Sequence, residues 1–243
     1  MKLDYTRYYR TWHPDTPEHV AGMVAFNRRI LAPHLPAERG AAVADVGCGG
    51  GFALLALREL GYTAVTGVDA DEGQVAACRR RGLAVEWSGD TVAWLRARAA
   101  ALRAIVLLDV LEHVPVGEQL EFVGALAGAL GPGGSLICTV PNANAALAAR
   151  WRYNDWTHRC SFTEHSLDFL LFNGGFGEIR VEAVEFLERP RNAWWPLARG
   201  ARHWWAFRFF RMWRRLEMMA ELGPQQGRGV PLSLNLLGVA RKA

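Results

Sequence analysis

Cysteine is scarce and scattered. The four in this chain, Cys48, Cys78, Cys138 and Cys160, form no Cys-x-x-Cys pair, so neither a zinc site nor a disulfide framework is indicated, and a reducing compartment fits. No apolar run is long enough to span a bilayer, and Met1-Lys-Leu-Asp-Tyr5 lacks the apolar core of a secretion signal, so the expected location is the cytosol. Outside one segment there is no excess of positive charge. The whole chain has 28 basic against 24 acidic residues, a net charge of +4; without the eight arginines between Arg189 and Arg215 it has 20 against 24, or −4. A nucleic-acid enzyme more often spreads its basic residues around the cleft, so no nucleic acid is expected as a partner. A single basic element points instead to a membrane surface or an acidic partner. At 243 residues the natural count is one α/β domain with an elaboration.

The chain is organised around Val43-Ala-Asp-Val-Gly-Cys-Gly-Gly-Gly51, where an apolar strand runs into glycines and an apolar helical run, Phe52 to Leu60, follows. Glycines at 47, 49 and 51 permit positive φ and let a ligand lie on the backbone, facing the free N–H groups of a helix start. Phe52 stands where a dinucleotide fingerprint wants its third glycine, and Asp45 precedes the first by two residues. A carboxylate there disfavours a pyrophosphate and favours a cation. The next strand ends in Asp69, an acid placed to accept both hydroxyls of a ribose, and Asp90 lies in the loop after a third short strand, Leu83 to Trp87.

Three acids at successive strand ends, with this glycine turn, resemble the class I S-adenosylmethionine-dependent methyltransferases from about residue 40 to 140. The resemblance implies S-adenosyl-L-methionine as cofactor. The motif Asp45, Gly47, Cys48 and Gly49 would hold the methionine part, Asp69 with Ala70 the ribose, and Asp90 with Thr91 the adenine. Asp109 and Val110, which end the fourth strand, would sit beside the same cleft.

Strands at Thr63–Val68, Leu83–Trp87, Ala104–Leu108 and Ser135–Val140 alternate with helical segments at Glu72–Arg81, Val92–Ala101 and Glu118–Leu130. That alternation predicts a parallel sheet covered on both faces, with all strand ends on one edge. Gly131-Pro-Gly-Gly134 reads as a turn, Gly175 to Leu187 as strand six, and Leu232 to Ala240 as the antiparallel last strand of this fold. The expected architecture is therefore α/β: a Rossmann-like, seven-stranded, mostly parallel sheet with an antiparallel last strand and a helical insertion before it. Residues 1–40 form an N-terminal cover with a helix from about Glu18 to Leu31 and an aromatic cluster, Tyr5 to Trp12, that is either a lid or simple packing. Residues 41–191 form the core, 192–228 the basic aromatic insertion, and 229–243 the last strand.

Leu111-Glu-His-Val-Pro115 resembles the motif after strand four of small-molecule methyltransferases, including those of quinone pathways, and places Glu112 and His113 near the methyl group. The loop by which nucleic-acid and protein amide methylases hold a planar nitrogen, Asn/Asp-Pro-Pro-Tyr/Phe, is absent, which argues against a methylase of bases. The segment Arg150-Trp-Arg-Tyr-Asn-Asp-Trp-Thr-His-Arg159, with Trp12-His-Pro and Val140-Pro-Asn, resembles methyltransferases of bacterial surface-polysaccharide clusters. That resemblance covers nearly the whole chain to about residue 186. It implies a glycan or lipid-linked glycan acceptor. Removing the proton of a sugar hydroxyl calls for a positioned base, and His158 oriented by Asp155 is the candidate, with a structural hydrogen-bond cluster of Asp155, His158 and Arg159 as the alternative; His113 is a further candidate for proton transfer, or else a cap or core partner. Arg152, Tyr153, Trp156, Arg159 and Asn142 are the expected substrate contacts; Asn142 reads equally as a helix cap. No contiguous metal motif is present, although Asp109, Asp155 and His158 are a conceivable set. O-methylation of a membrane quinone precursor is the second reading, and a non-catalytic, cofactor-binding partner of a glycosyltransferase the third.

In the insertion, Trp194 to Met219, five tryptophans are interleaved with arginines. At 100° per residue Trp205, Phe209, Met212, Trp213, Leu216, Met219 and Ala220 share a face of core type. The other side mixes Arg208, Arg211, Arg214 and Arg215 with Trp204 and Phe207, the composition of an interfacial helix on the cytoplasmic face of an inner membrane. A homodimer surface is the alternative.

Overall fold

Short runs of Val, Ile, Leu and Ala with no polar alternation build the middle of the sheet, as strands buried on both faces require. The computed structural model describes residues 5–195, 198 and 201–243. Residues 1–4, the side chain of Tyr5 in the expected aromatic cluster, and positions 196, 197, 199 and 200 of the expected insertion lie outside the described residues. The strands are β1 (Val43–Val46), β2 (Val65–Asp69), β3 (Val85–Trp87), β4 (Leu102–Leu108), β5 (Leu130–Pro141), β6 (Phe176–Val184) and β7 (Asn235–Lys242). They form one sheet in the order β3-β2-β1-β4-β5-β7-β6, with β7 antiparallel to both of its neighbours and the other pairings parallel. This is the expected seven-stranded architecture.

The helices are α1 (Tyr5–Trp12), α2 (Pro17–Leu31), α3 (Phe52–Glu59), α4 (Glu72–Arg80), α5 (Thr91–Arg96), α6 (Gln119–Ala129), α7 (Ala148–Asn154), α8 (Glu164–Asn173), α9 (Ala201–Leu222) and α10 (Pro224–Gly229). Strand β4 shows how the two layers are built, because its side chains alternate between them. Ile105 and Leu107 pack with Trp94, Leu95, Phe122, Leu126, Leu167 and Leu171 of α5, α6 and α8. Ala104 and Val106 pack with Ile30, Leu31, Ala53 and Leu57 of α2 and α3. A Leu126→Ala change in such a layer costs about 2–5 kcal/mol. Thr16 and Pro17 start α2 as cap and first helical residue, and the Thr163/Ser166 capping box starts α8 where the sequence signals it.

Two expectations are corrected. The glycine-rich stretch 131–134 is not a free-standing turn: Leu130 already pairs with Leu102, and the ladder resumes at Ser135 opposite Ala104 after a break in register. The second concerns α9, where the face of core type turns outward. Trp205, Phe209, Met212, Trp213 and Leu216 are exposed, while Trp204, Phe207, Arg211, Arg214 and Arg215 are half-buried. Arg211 and Arg215 face inward because partners wait there, whereas Arg202 and Arg208 stay exposed. Arg211 pairs with Glu185 at 3.0 Å, Arg215 donates to the carbonyls of Gly227 and Val230, and Arg189 and Arg208 lie over the Trp204 ring. Among the described residues, no helix is long and apolar enough to cross a membrane.

Candidate active site

The strand ends of β1, β2, β4 and β5 open into a cavity of about 1270 Å³. Every residue expected at the cofactor lines it: the glycine motif, Asp69 and Ala70, Asp90 and Thr91, and Asp109 and Val110. Gly47 and Gly49 have φ of 71° and 48°. A Cβ on Gly47 would stand 2.5 Å from Val110, and one on Gly49 2.8 Å from the Tyr9 hydroxyl, so neither position accepts a side chain.

The acids around this loop are held differently. Asp45 is buried, its Oδ2 has no hydrogen-bond partner, and burial followed by the Asp69 charge pushes its carboxyl up to about 8. Asp69 accepts the N–H of Gly49 and of Asp71, each at 2.8 Å, while burial raises its pKa. Asp90 is exposed and caps α5 through the Ala93 N–H at 2.9 Å. Helix α1 runs across the loop. Tyr9 accepts the Gly50 N–H at 3.1 Å, Thr6 donates to Asp71 at 2.7 Å, and the Tyr8 hydroxyl donates to the Asn154 carbonyl.

Asp109 is a non-glycine residue at φ 53°, a strained left-handed conformation of the kind that clusters at functional sites. Its N–H donates to Thr139, and its Oδ1 accepts from the Thr139 hydroxyl at 3.0 Å and the Asn235 amide at 2.6 Å. The side chain faces the cavity, yet the packing around it raises its carboxyl to about 6. Asn235 also accepts from the Trp151 indole at 3.1 Å, so a residue of the last strand ties β4 to α7.

The second cluster lies between the turn after β4 and the loop after α7. Glu112 is fully buried (0 % exposed), neither carboxylate oxygen has a hydrogen-bond partner, and burial then Asp109 push its pKa well above the usual carboxylate range. His158 brings its Nε2 to 3.9 Å from that carboxylate. Its Nδ1 is 3.2 Å from the Trp151 carbonyl, which can only accept, so the proton sits on Nδ1 and Nε2 carries the lone pair. Burial lowers the pKa of His158, keeping the ring neutral. His113 packs edge-on against it, with ring centroids 4.7 Å apart, and burial followed by His158 lowers its pKa to about 4.

The Asp155 charge acts on His158, raising its pKa against the larger effect of burial, and the backbone carbonyl of Asp155 accepts the His158 N–H at 3.3 Å. The Asp155 Oδ1 accepts from the Thr157 N–H at 2.7 Å and hydroxyl at 2.6 Å, and that hydroxyl oxygen lies 2.8 Å from His113 Nδ1. The side-chain relay is Asp155–Thr157–His113, while the Trp151 carbonyl faces His158 Nδ1.

The expected substrate contacts are also corrected. Arg152, Tyr153, Trp156 and Arg159 do not line the cavity, and Tyr153 and Trp156 are 77 % and 89 % exposed. From this segment Trp151, Asn154, Asp155, Thr157 and His158 face inward instead. Asn142 is buried and fully occupied: its amide donates to the carbonyls of Pro231 and Ser233, and its oxygen accepts the Asn144 N–H. Among the described residues Asp109, Asp155 and His158 do not form a converging set of donor atoms. A different set converges: Glu112, His113 and His158 each bring a donor atom within 4.8 Å of the others, close enough to collapse onto a divalent cation. Sequence reasoning passed over Thr139, Trp151, Thr157 and Asn235. The one visible signal was Asn235, a lone amide in an apolar strand.

Residues 20–178 match the family model described as "Methyltransferase domain". A ubiquinone biosynthesis O-methyltransferase of Dinoroseobacter shibae is 28% identical over 177 residues, covering 66% of this chain and 68% of that protein. Another, of Cereibacter sphaeroides, is 32% identical over 136 residues, 52% of this chain and 53% of its own, so the chain spans little more than half of that relative. Among solved structures, a SAM-dependent methyltransferase from Archaeoglobus fulgidus superposes with a TM-score of 0.68 at 19% identity, covering 98% of this chain and 100% of that one. The 1,6-didemethyltoxoflavin-N1-methyltransferase of Burkholderia thailandensis, solved with S-adenosylhomocysteine, gives 0.57 at 18%, covering 98% and 87%. At these identities the structures share the fold.

Proposed function

The chain belongs to the methyltransferase domain family and takes S-adenosylmethionine as its methyl donor, and from that premise we propose that it O-methylates a phenolic hydroxyl of a membrane quinone precursor. The observation that carries this reading is the buried Glu112–His158 pair in a cavity whose lining also includes the apolar side chains Met23, Phe26, Ile30 and Phe186. The names of the relatives support the same acceptor class. A glycan acceptor loses its basis, since the arginines and aromatics expected to bind a sugar do not line the cavity.

The residues fit the donor. Asp45, a buried carboxylate with an oxygen lacking a partner, suits the ammonium of its methionine part; the open backbone at Gly47 and Gly49 suits close approach, and Asp69 and Asp90 suit the ribose and adenine. When bound, the donor supplies an already activated sulfonium methyl group. What is left for His158 is proton removal, in which its Nε2 lone pair takes the acceptor O–H proton as the oxygen attacks. A phenol titrates near about 10, far nearer to an imidazole than a sugar hydroxyl does. The Glu112 carboxyl lies 3.9 Å from the His158 Nε2, and His113, held by Thr157 and Asp155, fixes the ring by edge-on packing.

His158→Asn tests this. Turnover of a catechol, followed as S-adenosylhomocysteine produced, should fall about 10²–10⁴-fold while affinity for S-adenosylhomocysteine stays within about twofold. Because burial holds the His158 pKa below its ordinary value, the native rate should be flat around neutrality and fall only on the acid side, and the variant should lack that limb. Equal losses of affinity and turnover would refute the base assignment. Activity abolished by a chelator and restored by Mg²⁺ or Zn²⁺ would transfer Glu112, His113 and His158 to metal ligation.

A further inference from the structure

We infer that the outward face of α9, with Trp194 and Trp195, is a docking surface for an anionic lipid bilayer. The inference goes beyond the proposed reaction and stands whichever acceptor is methylated. The helix has 22 residues, about 33 Å of length, and only Ala201 is buried. Its outward arc carries Trp205, Phe209, Phe210, Met212, Trp213 and Leu216, between 41 % and 69 % exposed, and Trp194 just before it is 76 % exposed. A continuous patch of this kind marks an interaction surface.

Charge selects the occupant. Arg189, Arg191, Arg202 and Arg208 are exposed around the tryptophan-rich end, whereas Glu217 and Glu221 lie at the far end. A two-fold contact between copies centred on that end would set these arginines against their own counterparts. An anionic headgroup layer complements them, and the tryptophans seat at the same depth. The arginines within the helix and its failure to qualify as a span leave it lying flat in the interface. The position is also suited to delivery. Arg211 on the inward side holds Glu185, and the next residue, Phe186, lines the cavity and stacks on Phe26 at 4.9 Å and 9°. Docking α9 therefore brings the cavity's apolar wall to the lipid surface.

The test is flotation of the full chain with vesicles of phosphatidylcholine alone and of phosphatidylcholine with phosphatidylglycerol, at low and high salt. The protein should float with the anionic vesicles and less so at high salt. Phe209→Glu with Trp213→Glu should lower the partition at least about tenfold, and Arg202→Gln and Arg208→Gln about fivefold each. Unchanged far-ultraviolet dichroism and S-adenosylhomocysteine affinity would show that the variants are folded. Folded native protein that floats with neither vesicle overturns the inference, as does equal flotation with both. A concentration-dependent dimer in ultracentrifugation, abolished by Phe209→Glu and unaccompanied by flotation, assigns the face to a second copy.

Discussion

Asp45 is the residue whose substitution separates stability from function most sharply. Its carboxyl, ordinarily near 3.8, is pushed to about 8 by burial and by Asp69. The native state therefore holds a proton that the unfolded chain releases, and stability is lost as pH rises from about 4 to 8. Each pH unit in that window costs about 1.4 kcal/mol, so at pH 7 the ligand-free protein gives up roughly 4 kcal/mol to keep this acid buried. Asp45→Asn abolishes the titration and leaves a buried amide that costs about 1–3 kcal/mol if unpaired. The net gain at pH 7.5 should be about 1–4 kcal/mol, a rise in melting temperature of roughly 3–15 °C, and should vanish by about pH 4.5. Binding moves the other way. A cationic ligand needs the ionised carboxylate, so native affinity for S-adenosylhomocysteine should rise about fiftyfold between pH 6 and 8 and be nearly flat in the variant. Urea unfolding and calorimetric titration across that range measure both. An unaltered pH dependence of affinity in Asp45→Asn, or a stability gain equally large at pH 4.5, would refute the reasoning.

Other expectations follow from the same contacts. Asn235→Ala leaves Asp109 and the Trp151 indole each short of a partner, and should cost about 1–3 kcal/mol in urea unfolding together with a loss of turnover, since Trp151 holds His158. Trp156→Ala with Arg159→Ala removes surface groups only, so KM for a catechol should stay within about twofold; a large rise would restore the segment to acceptor binding. Asn142→Ala strands the carbonyls of Pro231 and Ser233 and should destabilise by about 1–3 kcal/mol without altering KM.

The strand ends were legible in the sequence because the information is local. Asp45, the glycines and Asp69 each sit within a few residues of the strand that aims them. The loop from Arg150 to Arg159 was legible by composition and illegible by direction: α7 ends at Asn154, and the turn that follows decides that His158 faces in and Trp156 out. Orientation of His158 depends on a backbone carbonyl, which carries no residue signature. The face of α9 was misread for a related reason. Arg211 and Arg215 face inward to Glu185, Gly227 and Val230, partners outside the helix whose positions no helical periodicity encodes.

The place of β7 bears on how the molecule assembles. The strand that comes last in chain order lies between β5 and β6, pairing with both. Without it β6 has no neighbour and β5 presents a bare edge, so this end of the sheet closes through a long-range step of the kind that slows folding and exposes strands to aggregation. The same step delivers Asn235 to Asp109. Completion of the sheet and placement of the Asn235 amide on Asp109 are thus coupled, because one strand carries both roles.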